Sequence, residues 1–236
     1  MAGILFIISA PSGSGKSTLV NQLRSLVDNL EFSVSYTTRA PRGSEEEGRE
    51  YHFTTREEFK RMVTADEFLE HAEVFGNCYG TARRTLAEAK AHGKDLLLDI
   101  DVQGASQVRQ RVPDAVSIFV MPPTPDILAT RLRNRSRAEG GVHEDVIQRR
   151  LAEAKQEIEN YREYSYILVN DILARAEEEL SAIVTSERIR REGQNHAEDA
   201  DRLVRLAEGC RQENAGERVQ PVLAAFGLLD PGTANT

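Results

Sequence analysis

The chain has 236 residues, of which 40% are hydrophobic, and it carries a formal net charge of −8. This length can bury a full hydrophobic core in one or two domains. The acidic balance argues against a general nucleic-acid-binding or acidic-membrane-binding surface, so any basic site has to be local. No apolar run reaches the ~18 residues of a membrane span. Cys78 and Cys210 have no metal-ligand spacing and are expected to be free thiols in the reducing cytoplasm.

The first feature along the chain is an apolar run, ILFII at 4–8, which predicts a buried strand. The turn SAPSGSG at 9–15 follows it, and leucines at helical spacing then predict a helix over about 16–28. Strand, glycine-rich turn and helix are the context of a phosphate-binding loop, because glycines let main-chain N–H groups close around phosphate oxygens. Lys16 would reach the β/γ-phosphates and Ser17 would offer its hydroxyl to Mg²⁺, so we expect a nucleoside triphosphate site.

The expected triphosphate-binding residues are Ala10, Pro11, Ser12, Gly13, Ser14, Gly15, Lys16, Ser17 and Thr18. The usual loop pattern has glycine where this chain has Ala10. Alanine fits that position if its φ is negative, so we interpret the loop as a variant of the pattern.

Residues 35–81 are interpreted as a small inserted lobe of short, largely antiparallel strands. The runs at 32–39, 50–53, 68–75 and 78–80 have strand character, and Thr55 has the pattern of a helix N-cap. After the lobe, helices and apolar strands alternate, which predicts a parallel, doubly wound sheet. The predicted helices are 84–92, 102–112, a segment with Thr124 as its N-cap, 143–162 and 173–190. The predicted strands are 95–100, 115–121 and 166–169.

The C-terminal segment differs in character, being polar with only short apolar patches. We expect residues 191–236 to be a partly disordered extension, with 230–236 disordered. The extension could be a disordered appendage, a dimer contact or a vector-derived remnant, and the sequence leaves the oligomeric state open.

Two arginines and two tyrosines in the lobe suggest an anion site. Arg39 and Arg42 flank a proline turn and can point at one phosphate as bidentate forks, with Tyr51 and Tyr79 donating to the same oxygens. The alternative is a pair of solvated surface arginines.

A carboxylate on a strand of the same lobe suggests how a base could be read. Glu70 could accept two parallel hydrogen bonds from guanine N1–H and the 2-amino group, and Ser35 could donate to O6. Adenine lacks that donor pair, so such a site would discriminate strongly. The alternative is an exposed strand carboxylate.

Four motifs together resemble the guanylate kinase family, in family order over about residues 3–190. They are SAPSGSGKS at 9–17, SVSYTTRAPR at 33–42, GNCYGT at 76–81 and LDIDVQG at 98–104. The resemblance implies an α/β P-loop nucleoside monophosphate kinase, with a parallel doubly wound sheet, a small mixed β lobe and a helical lid. It also implies Mg²⁺-dependent transfer of the ATP γ-phosphoryl group to GMP, giving ADP and GDP.

The resemblance assigns roles by position. It places the guanine at Ser35, Glu70 and Thr81, and the GMP phosphate at Arg39, Arg42, Tyr51 and Tyr79. Asp99 and Asp101 would stand at the centre, one near guanine and one near the metal or its waters, and which serves which stays open. The implied catalytic cations are Lys16, Arg39, Arg131, Arg135 and Arg150, and Asn170 would lie near the adenine.

The implied domains are a core at 1–34 and 82–190 with a lid at about 126–150, the GMP-binding lobe at 35–81, and the extension at 191–236. The lid departs from the family pattern, since it reads RSRAE at 135–139 and Gly140-Gly141 are inserted after it. Two other readings stay open: a related ribosyl bisphosphate kinase of phosphonate metabolism, and a catalytically dead phosphopeptide-binding module of scaffold proteins. Ser35, Glu70 and Tyr79 together argue against the first, and an intact Gly15-Lys16-Ser17 argues against the second.

Overall fold

The computed structural model describes residues 3–74, 76–138, 141–192 and 198–229. Its contacts divide the chain into two compact units. The first unit contains the residues up to Ile8 together with Asp28–Ser117, and the second contains Ser9–Val27 together with the residues from Ile118 onward. The division into core, lobe and extension given above stays a prediction.

The main sheet is parallel: its strands in the first unit have the order β2-β7-β1, and those in the second unit are β8 and β9. Within the first unit, β1 and β2 both pair in parallel with β7, and within the second unit β9 pairs in parallel with β8. The predicted α/β sheet is therefore confirmed. The strands are β1 (Leu5–Ser9), β2 (Leu30–Phe32), β7 (Asp95–Asp99), β8 (Val116–Met121) and β9 (Tyr166–Val169).

A second, mixed sheet has the strand order β4-β3-β6-β5 and lies in the first unit. β6 runs antiparallel to both β3 and β5, whereas β3 and β4 are parallel. The strands of the small lobe were predicted to be largely antiparallel, and the parallel β3–β4 pair was not predicted. Its strands are β3 (Ser35–Thr37), β4 (Tyr51–Phe53), β5 (Phe68–Val74) and β6 (Asn77–Ala82).

The helices agree with the sequence pattern up to residue 192. Thr55 and Thr124 accept main-chain N–H bonds at the helix starts where N-caps were predicted. The helices are α1 (Lys16–Leu26), α2 (Arg56–Thr64), α3 (Arg83–Ala91), α4 (Val102–Arg111), α5 (Pro125–Ala138), α6 (Glu144–Glu159), α7 (Leu173–Glu192), α8 (Glu198–Gly209) and α9 (Gly216–Ala225), with a 3₁₀ turn at Asn160–Glu163. Over the described ranges, we find no helix with both the length and the apolar character of a membrane span.

The predicted strand run at 32–39 contains only one whole strand, Ser35–Thr37, and its first residue belongs to an earlier strand that begins at Leu30. Leu30–Phe32 joins the main sheet beside β7, and Ser35–Thr37 joins the small sheet beside β6. The two residues between them carry the chain from one sheet to the other, a change of partner that strand propensity alone does not reveal.

The C-terminal extension contains two helices, α8 and α9, which the sequence analysis did not predict. Between them, residues 210–212 run antiparallel to β9 and cover its outer edge. The Ile167 N–H donates to the Cys210 carbonyl at 2.7 Å, and the Gln212 N–H donates to the Ser165 carbonyl at 3.0 Å. Covering the edge removes an unpaired row of main-chain groups. The predicted disorder at 230–236 concerns residues outside the described part of the chain.

The extension also supplies charge partners for two buried carboxylates on α7. Glu179 is 2% exposed and pairs with Arg218, whose two terminal nitrogens lie 2.8 and 2.9 Å from its oxygens. Glu187 is 1% exposed, accepts a 2.5 Å bond from the Tyr166 hydroxyl, and lies 3.4 Å from Arg211. A buried carboxylate is tolerated only when it is paired in this way.

We expect the substitution Arg218→Met to lower the free energy of unfolding by about 2–3 kcal/mol, because it leaves the Glu179 carboxylate buried without its cation. Urea denaturation followed by circular dichroism measures this change. The matched control is Arg205→Met on α8, an exposed arginine whose loss should change stability by less than about 0.5 kcal/mol. Equal stability of the two variants would contradict the pairing.

Candidate active site

The loop between β1 and α1 has the conformation that a phosphate-binding turn requires. Gly13 and Gly15 have φ values of 88° and 90°, in the left-handed region that disfavours other residues. A Cβ on Gly15 would lie 2.3 Å from the Asn170 amide nitrogen, and a Cβ on Gly13 would lie 3.0 Å from Leu128 and Leu132. Both positions therefore need glycine, for conformation and for space.

Ala10 is compatible with the loop. The non-glycine residues with positive φ in the described part of the chain are Asn29 and Asp66, so Ala10 is not among them. Lys16 occupies the first position of α1 and is half-buried, while Ser17 and Thr18 are exposed beside it. The positive dipole end of the helix therefore lies beside the lysine and the hydroxyl that phosphate and Mg²⁺ would use.

Two side chains from later in the chain donate hydrogen bonds to one carbonyl oxygen of the loop. The Ser14 carbonyl accepts from the Asn170 amide at 2.7 Å and from Arg131 at 3.1 Å. Arg131 donates in addition to the Asn170 carbonyl at 3.0 Å, and burial lowers the pKa of its guanidinium. Asn170 is 3% exposed. These contacts place Asn170 against the loop backbone; its predicted contact with adenine stays a prediction.

The remaining arginines of the predicted lid lie on two helices. Arg135 is exposed on α5, one turn after Arg131, and Arg150 is half-buried on α6. Arg133 and Glu144 join the two helices through an ion pair with an N–O distance of 2.5 Å. Of the inserted glycines, Gly140 lies outside the described residues.

In the first unit, a buried carboxylate lies at the centre of a polar cluster. Glu70 is 3% exposed, stands opposite Thr81 in the β5–β6 register and is hydrogen-bonded to it. The Ser35 and Thr81 hydroxyls lie 3.5 Å apart. A Cβ on Gly104 would come within 2.5 Å of a Glu70 oxygen, so the glycine leaves room for the carboxylate. The three residues predicted to hold guanine are thus brought together.

The electrostatics of this cluster disfavour an ionised carboxylate in the nucleotide-free protein. The pKa of Glu70 is raised to about 7, first by burial and then by the negative charge of Asp101, against the lowering effect of its hydrogen bonds with Thr81. The Asp101 carboxylate caps α4 by accepting from the Gly104 N–H at 2.8 Å. Asp99 ends β7 and is half-buried.

A second group of residues in the first unit surrounds the Arg39 guanidinium. Its carbon lies 5.2 Å from the centre of the Tyr51 ring, and the Tyr51 and Tyr79 rings are 5.9 Å apart. Hydrogen bonds with Glu45 and Tyr79 raise the pKa of Arg39. Three of the four residues predicted to hold an acceptor phosphate are therefore adjacent, and Arg42 is linked to them through its backbone.

Glu45 provides that link and was missed as a site residue. One of its oxygens lies 2.9 Å from Arg39 Nη2, and the other accepts from the Arg42 N–H at 2.8 Å. The ion pair with Arg39 lowers the pKa of Glu45. Glu45 is the first of three consecutive glutamates at 45–47, and no local pattern distinguishes the carboxylate that folds back onto Arg39.

No group of three or more His, Cys, Asp or Glu side chains that could hold a metal ion occurs among the described residues. Mg²⁺ in kinases takes most of its ligands from phosphates and water, with one or two protein groups. The exposed Ser17 hydroxyl at the start of α1 is a donor of that kind.

Comparisons with known proteins identify one family. A family model described as guanylate kinase matches residues 3–187. A guanylate kinase of Koribacter versatilis is 57% identical over 226 residues, covering 96% of this chain and 97% of the relative. A guanylate kinase of Geobacter metallireducens is 50% identical over 188 residues, covering 80% of this chain and 91% of the relative.

Among solved structures, the crystal structure of guanylate kinase from Anaplasma phagocytophilum has a TM-score of 0.65 and 36% sequence identity. The match covers 80% of the present chain and 87% of the Anaplasma chain. The family match, the identities and the fold lead to one conclusion: this chain belongs to the guanylate kinase family.

Proposed function

We propose that this protein transfers the γ-phosphoryl group of ATP to GMP, giving ADP and GDP. The observation that carries the proposal is the buried Glu70 carboxylate with Ser35, Thr81 and Asp101 around it in the first unit. A ribosyl phosphate acceptor has no base to occupy such a cluster. The family membership and the curated guanylate kinase names of the relatives support the same reaction.

On the donor side, the loop at 10–15 and the start of α1 bind the ATP phosphates. Main-chain N–H groups close around the phosphate oxygens, and Lys16 offsets charge on the transferring group. Ser17 would hold Mg²⁺, which would neutralise part of the phosphate charge. Arg131 and Asn170 keep the loop in place through the Ser14 carbonyl.

On the acceptor side, the guanine and the phosphate bind to separate groups of residues. Glu70 accepts from N1–H and the 2-amino group, and Ser35 and Thr81 complete the base site. We assign Asp101 to the guanine side, because its charge acts on Glu70, and Asp99 to the metal or its waters. The GMP phosphate binds at Arg39, Arg42, Tyr51 and Tyr79.

Catalysis in this reaction is mainly positioning and charge neutralisation, since phosphoryl transfer needs little covalent help from a protein. The cations that offset the repulsion between the two nucleotides are Lys16, Arg39, Arg131, Arg135 and Arg150. Water has to be excluded to prevent ATP hydrolysis, so the lobe at 35–81 and the lid at 126–150 close over the substrates. ATP and GMP are the only partners proposed, and we infer a cytoplasmic location from these substrates.

Lys16→Ala should lower kcat for GMP phosphorylation by roughly 10²–10³, because it removes a charge that stabilises the transition state. A coupled assay of ADP formation measures kcat, and circular dichroism checks that the fold survives. Lys60→Ala, which removes an exposed lysine from α2, is the control and should keep wild-type turnover. Near-normal turnover of the Lys16 variant would refute the role of this lysine.

Glu70→Gln should raise KM for GMP by about 100-fold and leave KM for ATP unchanged, because an amide cannot accept both guanine donors. Steady-state kinetics with each substrate varied in turn measures both constants. Thermal stability should not decrease, since the substitution removes a buried titratable carboxyl. An unchanged preference for GMP over AMP would remove Glu70 from the base site.

The same variant serves as the control for a pH effect. With a pKa of about 7, Glu70 loses most of its ionised form between pH 8 and pH 6, so GMP affinity should fall about tenfold over that range. The GMP phosphate itself titrates near pH 6 and contributes to the change. Glu70→Gln should retain only that phosphate contribution, and identical pH profiles for the two proteins would contradict an ionised Glu70.

A further inference from the structure

The strand that carries Glu70 lies at the edge of the small sheet, and α4 takes the place of a neighbouring strand. Within the small sheet, β5 has a single neighbouring strand, β6. On its other side, the Gln107 side chain accepts from the His71 N–H at 3.2 Å and donates to the His71 carbonyl at 2.7 Å. A single amide thus pairs both main-chain groups of the residue that follows Glu70, as a strand neighbour would.

One turn further along α4, Arg111 pairs the residues that precede Glu70. Its Nη1 donates to the Phe68 carbonyl at 2.8 Å and to the Leu69 carbonyl at 2.7 Å. Gln107 and Arg111 together therefore hold the main chain on both sides of Glu70.

These bonds coincide with an irregularity in the strand. The β5–β6 register passes from Phe68 opposite Ala82 to Glu70 opposite Thr81, so Leu69 is an extra residue. A bulge of this kind leaves main-chain groups unpaired and changes the direction of the following side chains. Because side chains alternate along a strand, a slip of one residue would turn Glu70 to the other face.

We propose that Arg111 and Gln107 are positioning residues for base selection: they hold the bulge of β5 so that the Glu70 carboxylate faces the guanine site. The acceptor class that this arrangement selects is a purine nucleotide with adjacent N1–H and 2-amino donors. The inference rests on the proposed role of Glu70. The Arg111 charge adds to the effect, since it acts against the burial that raises the pKa of Glu70.

The test compares Arg111→Met and Gln107→Leu with the wild type in steady-state kinetics with GMP and with IMP, which keeps N1–H but lacks the 2-amino group. Each variant should raise KM for GMP about tenfold or more, because small displacements of a positioned group weaken its contacts strongly. The GMP/IMP ratio of kcat/KM should fall, while KM for ATP and kcat at saturation stay unchanged. A ratio within twofold of wild type in both variants would overturn the proposal.

Matched controls separate positioning from general damage. Gln110→Leu changes an exposed glutamine on the same helix and should behave as wild type. Arg111→Lys keeps a cation that can reach the carbonyls and should restore part of the GMP/IMP ratio. Gln107 bonds the main chain after Glu70 and Arg111 bonds it before Glu70, so the two substitutions remove different contacts. Gln107→Leu therefore provides the test if Arg111→Met does not fold.

A double substitution distinguishes this inference from the proposed function. In Glu70→Gln, adding Arg111→Met should have little further effect on the GMP/IMP ratio, because the group that it positions is already lost. Fully additive losses would contradict positioning through Glu70. If Glu70→Gln alone leaves the GMP/IMP ratio unchanged, the proposed base site is wrong. If Glu70→Gln lowers the ratio but Arg111→Met and Gln107→Leu do not, only the proposed positioning role is wrong.

Discussion

The acceptor half of this protein depends on one carboxylate, Glu70, that the fold removes from water. Burial and the charge of Asp101 raise its pKa to about 7, so its ionised form is poorly stabilised until a ligand donates hydrogen bonds to it. A guanine base offers two donors side by side, whereas adenine would leave a buried acceptor unpaired. Affinity for GMP and selectivity against AMP thus have the same origin. Two neighbouring residues support the Glu70 carboxylate: Gly104 leaves space for it, and Thr81 is hydrogen-bonded to it.

The donor half depends on the main chain instead. Gly13 and Gly15 adopt conformations that other residues avoid, and their missing side chains allow Leu128, Leu132 and Asn170 to pack against the loop. The Ser14 carbonyl, held by two side chains, fixes the loop before any nucleotide binds. The backbone conformation allows alanine at position 10, where φ is not positive, and disfavours residues other than glycine at positions 13 and 15.

Much of the fold and the site follows from local sequence, because the strand–glycine–helix pattern, the threonine N-caps and the guanylate kinase motifs depend on neighbouring residues. What sequence could not provide depends on contacts between distant residues. Glu45 folds back onto Arg39, Arg111 reaches the carbonyl of Phe68 forty-three positions earlier, and Leu30–Phe32 joins a different sheet from Ser35–Thr37. The C-terminal extension looked partly disordered because its apolar patches are short. Many of its apolar side chains are nevertheless buried, and its arginines pair with buried carboxylates on α7.

The most direct measurement is the rate of ADP formation by the wild-type protein with saturating ATP and Mg²⁺ and with GMP, IMP or AMP as acceptor. If a buried carboxylate selects the base through N1–H and the 2-amino group, kcat/KM should be highest for GMP, lower for IMP, and lower for AMP than for GMP by roughly a thousandfold or more. Comparable rates with GMP and AMP would contradict the account.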